Sequence, residues 1–429
     1  MTTVTEVTET HTDVCVVGGG PAGLTLALLL LRSGARVAVV EKLRSLEREY
    51  RGEILQPGGQ ALLEALGVLD GARARGCHEH DRFLLEERGR ILINGDYRRL
   101  PGPFNCLLSI PQRHLLAELL DQCSAHPGFR YLGSSRCSAL IEDTRQRVRG
   151  ILGHGPDGEL MVRARCVVGA DGRYSKVRRL ARLEYDRVDA FDQDVLWFKL
   201  PGEGALPADV RIFRAGGSPV LAYTSHPGSV QLGWTLPHRR YRDLAARGLD
   251  HIKSRLRAAV PEYAERIDAG IASFRDLSLL DVFSGTARTW TRPGLLLIGD
   301  SAHTHGPIGA QGINLAIQDA VAAHPALLSA LADGDGDADG DGTGPLERYA
   351  RDRRRDVRQI MKLQAVQGKM MLSTGGLAAA VRPRAAAVVS RTPVYRAVLG
   401  RLAYGNRSIA VRTDLFRPPA SAGSGNLAG

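Results

Sequence analysis

Asp13-Val14-Cys15-Val16-Val17-Gly18-Gly19-Gly20-Pro21-Ala22-Gly23 is the stretch on which the fold turns. A short apolar run of β character opens into G-x-G-x-x-G, and Leu24 to Leu31 continues as a helical segment. Gly18 permits a tight turn, Gly20 lets the backbone approach a pyrophosphate, and Gly23 allows close helix–strand packing. Pro21 and Ala22 lie in the turn ahead of the helix, whose free N–H groups point at whatever anion lies beyond it. A second strand, Val37 to Val40, ends in Glu41 with Lys42 beside it. Glu41 lies 18 residues beyond Gly23, close to the ~20 expected for the acid that holds ribose hydroxyls in a βαβ unit. A glycine-rich turn in a plain α/β core is the alternative. With strand, turn, helix, second strand and acid all in register, the segment reads as a dinucleotide site.

Two further segments follow in fixed order. Cys166-Val167-Val168-Gly169-Ala170-Asp171-Gly172-Arg173-Tyr174-Ser175-Lys176-Val177-Arg178 lies in mid-chain. Gly294-Leu295-Leu296-Leu297-Ile298-Gly299-Asp300-Ser301-Ala302-His303 leads to Pro307-Ile308-Gly309-Ala310-Gln311-Gly312-Ile313-Asn314. Both are apolar strands that reach an acid and a glycine; the second then feeds a helix whose N-terminus favours negative charge. These segments resemble the D-G and G-D motifs of the single-component, FAD-dependent aromatic hydroxylases of p-hydroxybenzoate hydroxylase type. Arg51-Gly52-Glu53-Ile54-Leu55-Gln56-Pro57-Gly58-Gly59 is similar to a segment of squalene epoxidases. The resemblance spans roughly residues 12 to 330 plus a helix start from Tyr349 to Arg355.

It implies a Rossmann-like FAD-binding domain with an inserted mixed β-sheet domain for substrate and a helical C-terminal region, an α/β protein overall. It places Arg51 by the FAD pyrophosphate and Arg113, in Ile110-Pro111-Gln112-Arg113, near the ribityl or phosphate region. Asp171 and Asp300 become cofactor contacts, Asp300 as a ribityl ligand. Pro307 packs by the flavin's reactive edge, and Gly309, Gly312, Ile313 and Asn314 cradle the ring. Arg178 falls near a transient NADPH or NADH, which fits a chain with no second G-x-G-x-x-G. His303 follows the family pattern too, as a catalytic or a merely hydrogen-bonding residue. The implied reaction is a monooxygenation: NAD(P)H reduces the flavin, O₂ adds at C4a, and the hydroperoxide hydroxylates or epoxidises an electron-rich small molecule, phenolic or polyketide-like, of secondary metabolism.

Composition narrows the class. At 429 residues the chain exceeds one ordinary core. Net charge is +11, carried by 51 arginines and six lysines, a field suited to anionic cofactors. There is no basic run with interleaved aromatics, so nucleic acid is not an expected partner. The six cysteines, from Cys15 to Cys166, have neither C-x-x-C spacing nor disulfide density and read as reduced thiols. Leu24 to Leu31 is too short to span a bilayer, and no metal site is expected. A cytoplasmic monomer or homodimer follows, with peripheral membrane contact left open.

The motifs divide the chain into a discontinuous FAD-binding domain (1–76, 101–183 and 277–344), a substrate domain (77–100 and 184–276) and a C-terminal region (345–429) with a disordered end. The shorter insert reads as a hairpin turning at Arg88-Gly89. The longer reads as an antiparallel sheet of runs at 195–200, 210–213, 220–223 and 230–236 followed by one helix, Leu244 to Val260. Trp197, Phe213, Tyr223 and Trp234 could line a cavity or be plain core. A phenolic substrate needs a base, for which Arg211, Tyr223 and His226 are the candidates. Asp335 to Leu346 imitates an EF-hand loop without its twelfth-position Glu and reads as a solvated loop. The basic tail could clamp the FAD domain, form a dimer face or touch membrane. Rival functions are a halogenase, of whose W-x-W-x-I-P signature only Trp234-Thr235-Leu236-Pro237 remains, and a cyclase or isomerase in which bound flavin does no redox chemistry.

Overall fold

Val14–Val17 and Val37–Val40 are apolar at every position, the pattern of strands covered on both faces. In the computed structural model, which describes residues 8–46, 53–188, 193–202, 206–214, 218–333, 344–372 and 392–418, both lie fully buried in a parallel sheet. Its order is Phe129–Leu132, Val37–Val40, Thr8–Val17, Gly158–Gly169 and Leu295–Leu297, with Thr291–Arg292 antiparallel at the edge. Gly158–Gly169 also carries an antiparallel extension, Val148–Gly155 and Arg136–Glu142. Helix Pro21–Arg32 is buried from Ala22 to Leu31, apolar all round as a core helix must be. It packs against Gln112–Ser124 and Gly312–Ala332. Gly312–Ala332 is long and apolar enough to cross a membrane, and half of its most apolar window is buried inside the protein.

The second sheet runs Ser278–Leu280, Gln193–Leu200, Ser229–Pro237, Val220–Ser225, Val210–Phe213, Arg82–Glu87, Arg90–Asp96. The hairpin turns at Arg88 and Gly89, both with positive φ (52° and 75°), as a two-residue turn between twisted strands demands. This hairpin joins the sheet through a parallel pairing of Arg82–Glu87 with Val210–Phe213.

Period-two alternation sorts the aromatic residues. Phe198, Phe213 and Trp234 face helices Leu249–Ala259 and Ala264–Gly270 and form a closed core. Trp197 and Tyr223 face the other way, toward Ile54, Tyr97 and Leu107. The remnant of a halogenase signature at Trp234 is thus core. The single helix expected over 244–260 is two, Tyr241–Ala245 and Leu249–Ala259, because the chain breaks at Gly248 with φ +93°. In the tail, Pro345–Leu372 packs along Gly312–Ala332, and Pro393–Tyr404 packs on Pro57–Ala65.

Candidate functional site

Strand register brings the three motifs together. Val17 pairs with Gly169, and Gly169 pairs with Leu297, so three parallel strands end level and their following loops share one edge. Ligands of open α/β sheets bind at such carboxyl ends. The loops there enclose a cleft of about 690 Å³, lined among others by Gly18, Gly20, Pro21, Ala22, Glu41, Lys42, Asp171, Asp300, Pro307, Gly312 and Ile313.

Glycine is obligatory at the first turn. Gly18 has φ +114°, and a Cβ there would lie 2.3 Å from the Ala170 carbonyl oxygen. A Cβ on Gly23 would meet the Gly18 oxygen at 1.9 Å. The Glu41 carboxylate, buried at the edge of the cleft, accepts from the Gly19 N–H at 2.7 Å and the Leu43 N–H at 3.0 Å. It therefore braces the turn as well as facing the cleft, while Lys42 is exposed beside it. Asp300 lies across the cleft, 3.7 Å from the Arg173 guanidinium.

Behind Asp300 is a buried charge network. Asp319 accepts from the Gly299 N–H at 2.7 Å, from Arg353 Nε at 2.6 Å, and pairs with His303 Nε2 at 2.7 Å. Burial opposes its ionisation, yet the neighbouring His303 and Arg353 hold the carboxyl well below the ordinary range. His303 is thus a bracing residue, its bonded nitrogen turned toward Asp319.

Other expected residues have different work. The Asp171 carboxylate accepts from the backbone N–H groups of Lys176 and Val177 at 2.6 and 3.0 Å and so holds its own loop. Asn314 does not line the cleft; its amide accepts from the Gln56 N–H at 2.9 Å and donates to the carbonyls of Ala310 and Ile54 at 2.7 and 3.3 Å. Arg178 is buried, donates to the carbonyls of Ser301 and Arg173, and stacks 4.0 Å over the Tyr185 ring. Burial lowers its pKa, and Arg173 and Arg179 are the arginines of that segment that line the cleft. Arg113 is exposed, whereas the preceding Gln112 lines the cleft. Arg51 lies outside the described residues, as do residues 335–343 of the EF-hand-like stretch.

A second cavity, of about 170 Å³, adjoins the first. Ile54, Trp197, Leu221, Pro307 and Ala310 line both. Its wall is apolar, from the Trp197 face of the second sheet, the hairpin and the loop at Gly309, and it is closed by Tyr395, Val398, Leu399 and Leu402 of Pro393–Tyr404. Polar groups are few. Tyr97 Oη donates to Gln56 Oε1 at 3.0 Å, and Gln56 Nε2 to the Gly309 carbonyl at 2.9 Å.

Of the suggested bases, Arg211 and His226 line neither cavity. Arg211 pairs with Glu86 and Asp209 on the outer part of the sheet, and His226 packs against His78 and His114. Tyr223 does line the cleft, with its pKa pushed far up by burial and by the Glu53 charge. Glu53 itself, with Lys199 at 3.1 Å and Ser225 at 2.8 Å, was no sequence candidate, and nor were Gln112, Arg173 and His305. Their signal is only tertiary, since Lys199 and Ser225 reach Glu53 from strands far along the chain.

Glycine turns, helix N-termini and paired acids along a cleft of this size suit a flavin dinucleotide, and the geometry defines a flavoprotein of the Rossmann type. Residues 11–364 match the FAD binding domain family, and the chain belongs to it as an FAD-dependent monooxygenase. It is 65% identical over 407 residues, 95% of both chains, to 6-methylpretetramide 4-monooxygenase of Streptomyces rimosus. It is 27% identical to protoasukamycin 4-monooxygenase of Streptomyces nodosus subsp. asukaensis, across 82% of this chain and 87% of that one. Pseudomonas aeruginosa PqsL, solved with 2-aminobenzoylacetate, matches with a TM-score of 0.74 and 27% identity over 88% of this chain and 99% of its own.

Proposed function

We propose that the chain hydroxylates a planar, polycyclic phenol of the polyketide kind, held in the apolar cavity against the end of the FAD cleft. The carrying observation is the wall shared by the two cavities, Ile54, Trp197, Leu221, Pro307 and Ala310, which sets an apolar guest against the cofactor site. The 65% identity to a monooxygenase named for 6-methylpretetramide supports the substrate class. In this reading Gly18, Gly20 and the helix start at Pro21 and Ala22 take the pyrophosphate, and Glu41 and Lys42 the ribose. Asp300 takes the ribityl chain, and Gly312 and Ile313 the ring edge. When bound, FAD takes reducing equivalents from NADPH or NADH and activates O₂ for transfer to the substrate. The protein's residues orient and exclude. Tyr97 Oη can accept from a phenolic O–H and the second Nε2–H of Gln56 can donate to the phenolic oxygen, Trp197 and Leu221 stack on the flat rings, and the Pro393–Tyr404 helix keeps water out. Asn314 and Asp171 act by holding the loops rather than by touching the cofactor. Tyr223, held neutral by burial and Glu53, is suited to donate a hydrogen bond and not to serve as a base. The work is done in the cytoplasm.

The test is turnover of tetracyclic polyphenols by purified protein with NADPH or NADH under ¹⁸O₂. One ¹⁸O atom per product, with flavin reduction hastened by substrate, is expected. Conversion of substrate without label or nicotinamide consumption would instead favour a cyclase or isomerase.

A further inference from the structure

A buried imidazole with neither nitrogen satisfied stands in the wall of the cofactor cleft. His305 is 8% exposed, and among the described residues neither Nδ1 nor Nε2 finds a hydrogen bond of good geometry, yet the residue lines the cleft. The backbone of adjacent Gly306 comes near the ring without good hydrogen-bond geometry. A polar group left without a partner costs about 1–3 kcal/mol, so a ring with two such nitrogens is a poor choice for packing alone.

The surroundings show where a partner would be. His303 stacks on the ring, 5.8 Å away at 23°, and the charges of Asp300 and Arg173 are near enough to act on it. A Cβ built on Gly312 would sit 3.7 Å from the His305 ring carbon Cε1. His303 is itself pinned by Asp319, so the stack holds His305 in place rather than letting it swing to solvent. Burial pushes its pKa down to about 4; the ring is neutral and carries one N–H donor and one acceptor.

We propose that His305 is a ligand of bound FAD, hydrogen-bonding the cofactor in the stretch of cleft between Asp300 and the Gly312 helix start. Two parts of the cofactor offer that chemistry there, the ribityl hydroxyls and the N1–C2=O edge of the ring. His305 is a binding and positioning residue in either case; no proton leaves or enters the substrate through it.

The test compares apoprotein and FAD-loaded forms of the parent, His305→Leu and His305→Asn. Removing the unsatisfied nitrogens should raise the melting temperature of the apoprotein in His305→Leu, while its Kd for FAD weakens about tenfold, the size of one hydrogen bond. His305→Asn, which keeps a donor and an acceptor, should recover part of the FAD affinity. This opposite movement of the two forms is what a purely space-filling histidine would not produce. A His305→Leu Kd within twofold of the parent would overturn the proposal. So would a fall in apoprotein melting temperature and affinity together with no recovery in His305→Asn. Titration with 2′-deoxy-FAD and 1-deaza-FAD assigns the contact: the analogue for which His305→Leu no longer matters lacks the partner atom.

Discussion

Breaking the buried network behind Asp300 should cost the protein far more than any surface ion pair. Asp319 is fully buried, His303 and Arg353 are 1% and 2% exposed, and the three contacts to the carboxylate measure 2.6 to 2.7 Å. Arg353→Met removes one cation and leaves the carboxylate in place. Two unit charges about 4 Å apart interact by about 4 kcal/mol at an effective dielectric constant of about 20, and losing one partner of a buried pair costs about 3–5 kcal/mol. Because His303 and the Gly299 N–H remain, the lower end, about 3 kcal/mol, is expected. Asp319→Asn leaves Arg353 with the longer Asp356 pair at 3.7 Å and the Leu315 carbonyl and should cost somewhat less, about 2 kcal/mol or more. The double variant Arg353→Met/Asp319→Asn holds no uncompensated Arg–Asp charge and should cost less than the sum of the singles by about 2 kcal/mol or more. Urea unfolding of the four apoproteins measures this, and FAD titration reports whether the Gly299–Asp300 turn has shifted. Single losses under about 1 kcal/mol, or losses that add to within about 0.5 kcal/mol, would refute the reasoning.

Other outcomes follow from single features. Gly23→Ala places a Cβ 1.9 Å from the Gly18 oxygen, so the variant should purify without flavin, as judged by its visible absorbance; a fully yellow protein would contradict the close-packing argument. Gly233→Ala puts a Cβ 2.8 Å from the Trp197 ring, and since about 1 Å of misplacement can cost on the order of 100-fold, kcat/KM should fall by about tenfold or more, with a smaller loss of FAD affinity. His305 and His324 both have pKa values lowered by burial to about 4, from 6.5. Below pH 6.5 the unfolded chain binds their protons first, so apoprotein stability should fall from pH 6.5 toward 4, by up to about 1.4 kcal/mol per pH unit for each histidine. Unfolding midpoints that stay level between pH 7 and 5 would count against it. Tyr97→Phe should lose about 1 kcal/mol of stability with its bond to Gln56, and more of substrate affinity than of FAD affinity.

The cofactor half of the molecule was legible because its chemistry is local. Gly18, Gly23, Asp300 and Gly312 act through their own backbone conformation or the first turn of their own helix, and a dozen consecutive residues state that requirement. The family resemblance rested on these same segments. Alternation along Gln193–Leu200 and Ser229–Pro237 also announced strands, though not which face of each would be core. Phe213 and Trp234 went to the helices and Trp197 to the cavity only once the hairpin Arg82–Asp96 had joined the sheet and Pro393–Tyr404 had closed over it. Arg178 and Asn314 matched their motif positions, yet tertiary packing commits both side chains to backbone carbonyls and neighbouring loops. Residues whose role depends on partners hundreds of positions away left no local mark. Glu53 needs Lys199 and Ser225, Asp319 needs Arg353, and His305 stands out only because no described residue gives its nitrogens a well-formed hydrogen bond. Sequence alone determined the class of cofactor, since turns and helix starts are short-range properties of the chain. Tertiary structure alone decided the shape of the substrate cavity and the pairing of buried charges, because burial and partnership are properties of a packed interior and not of a segment.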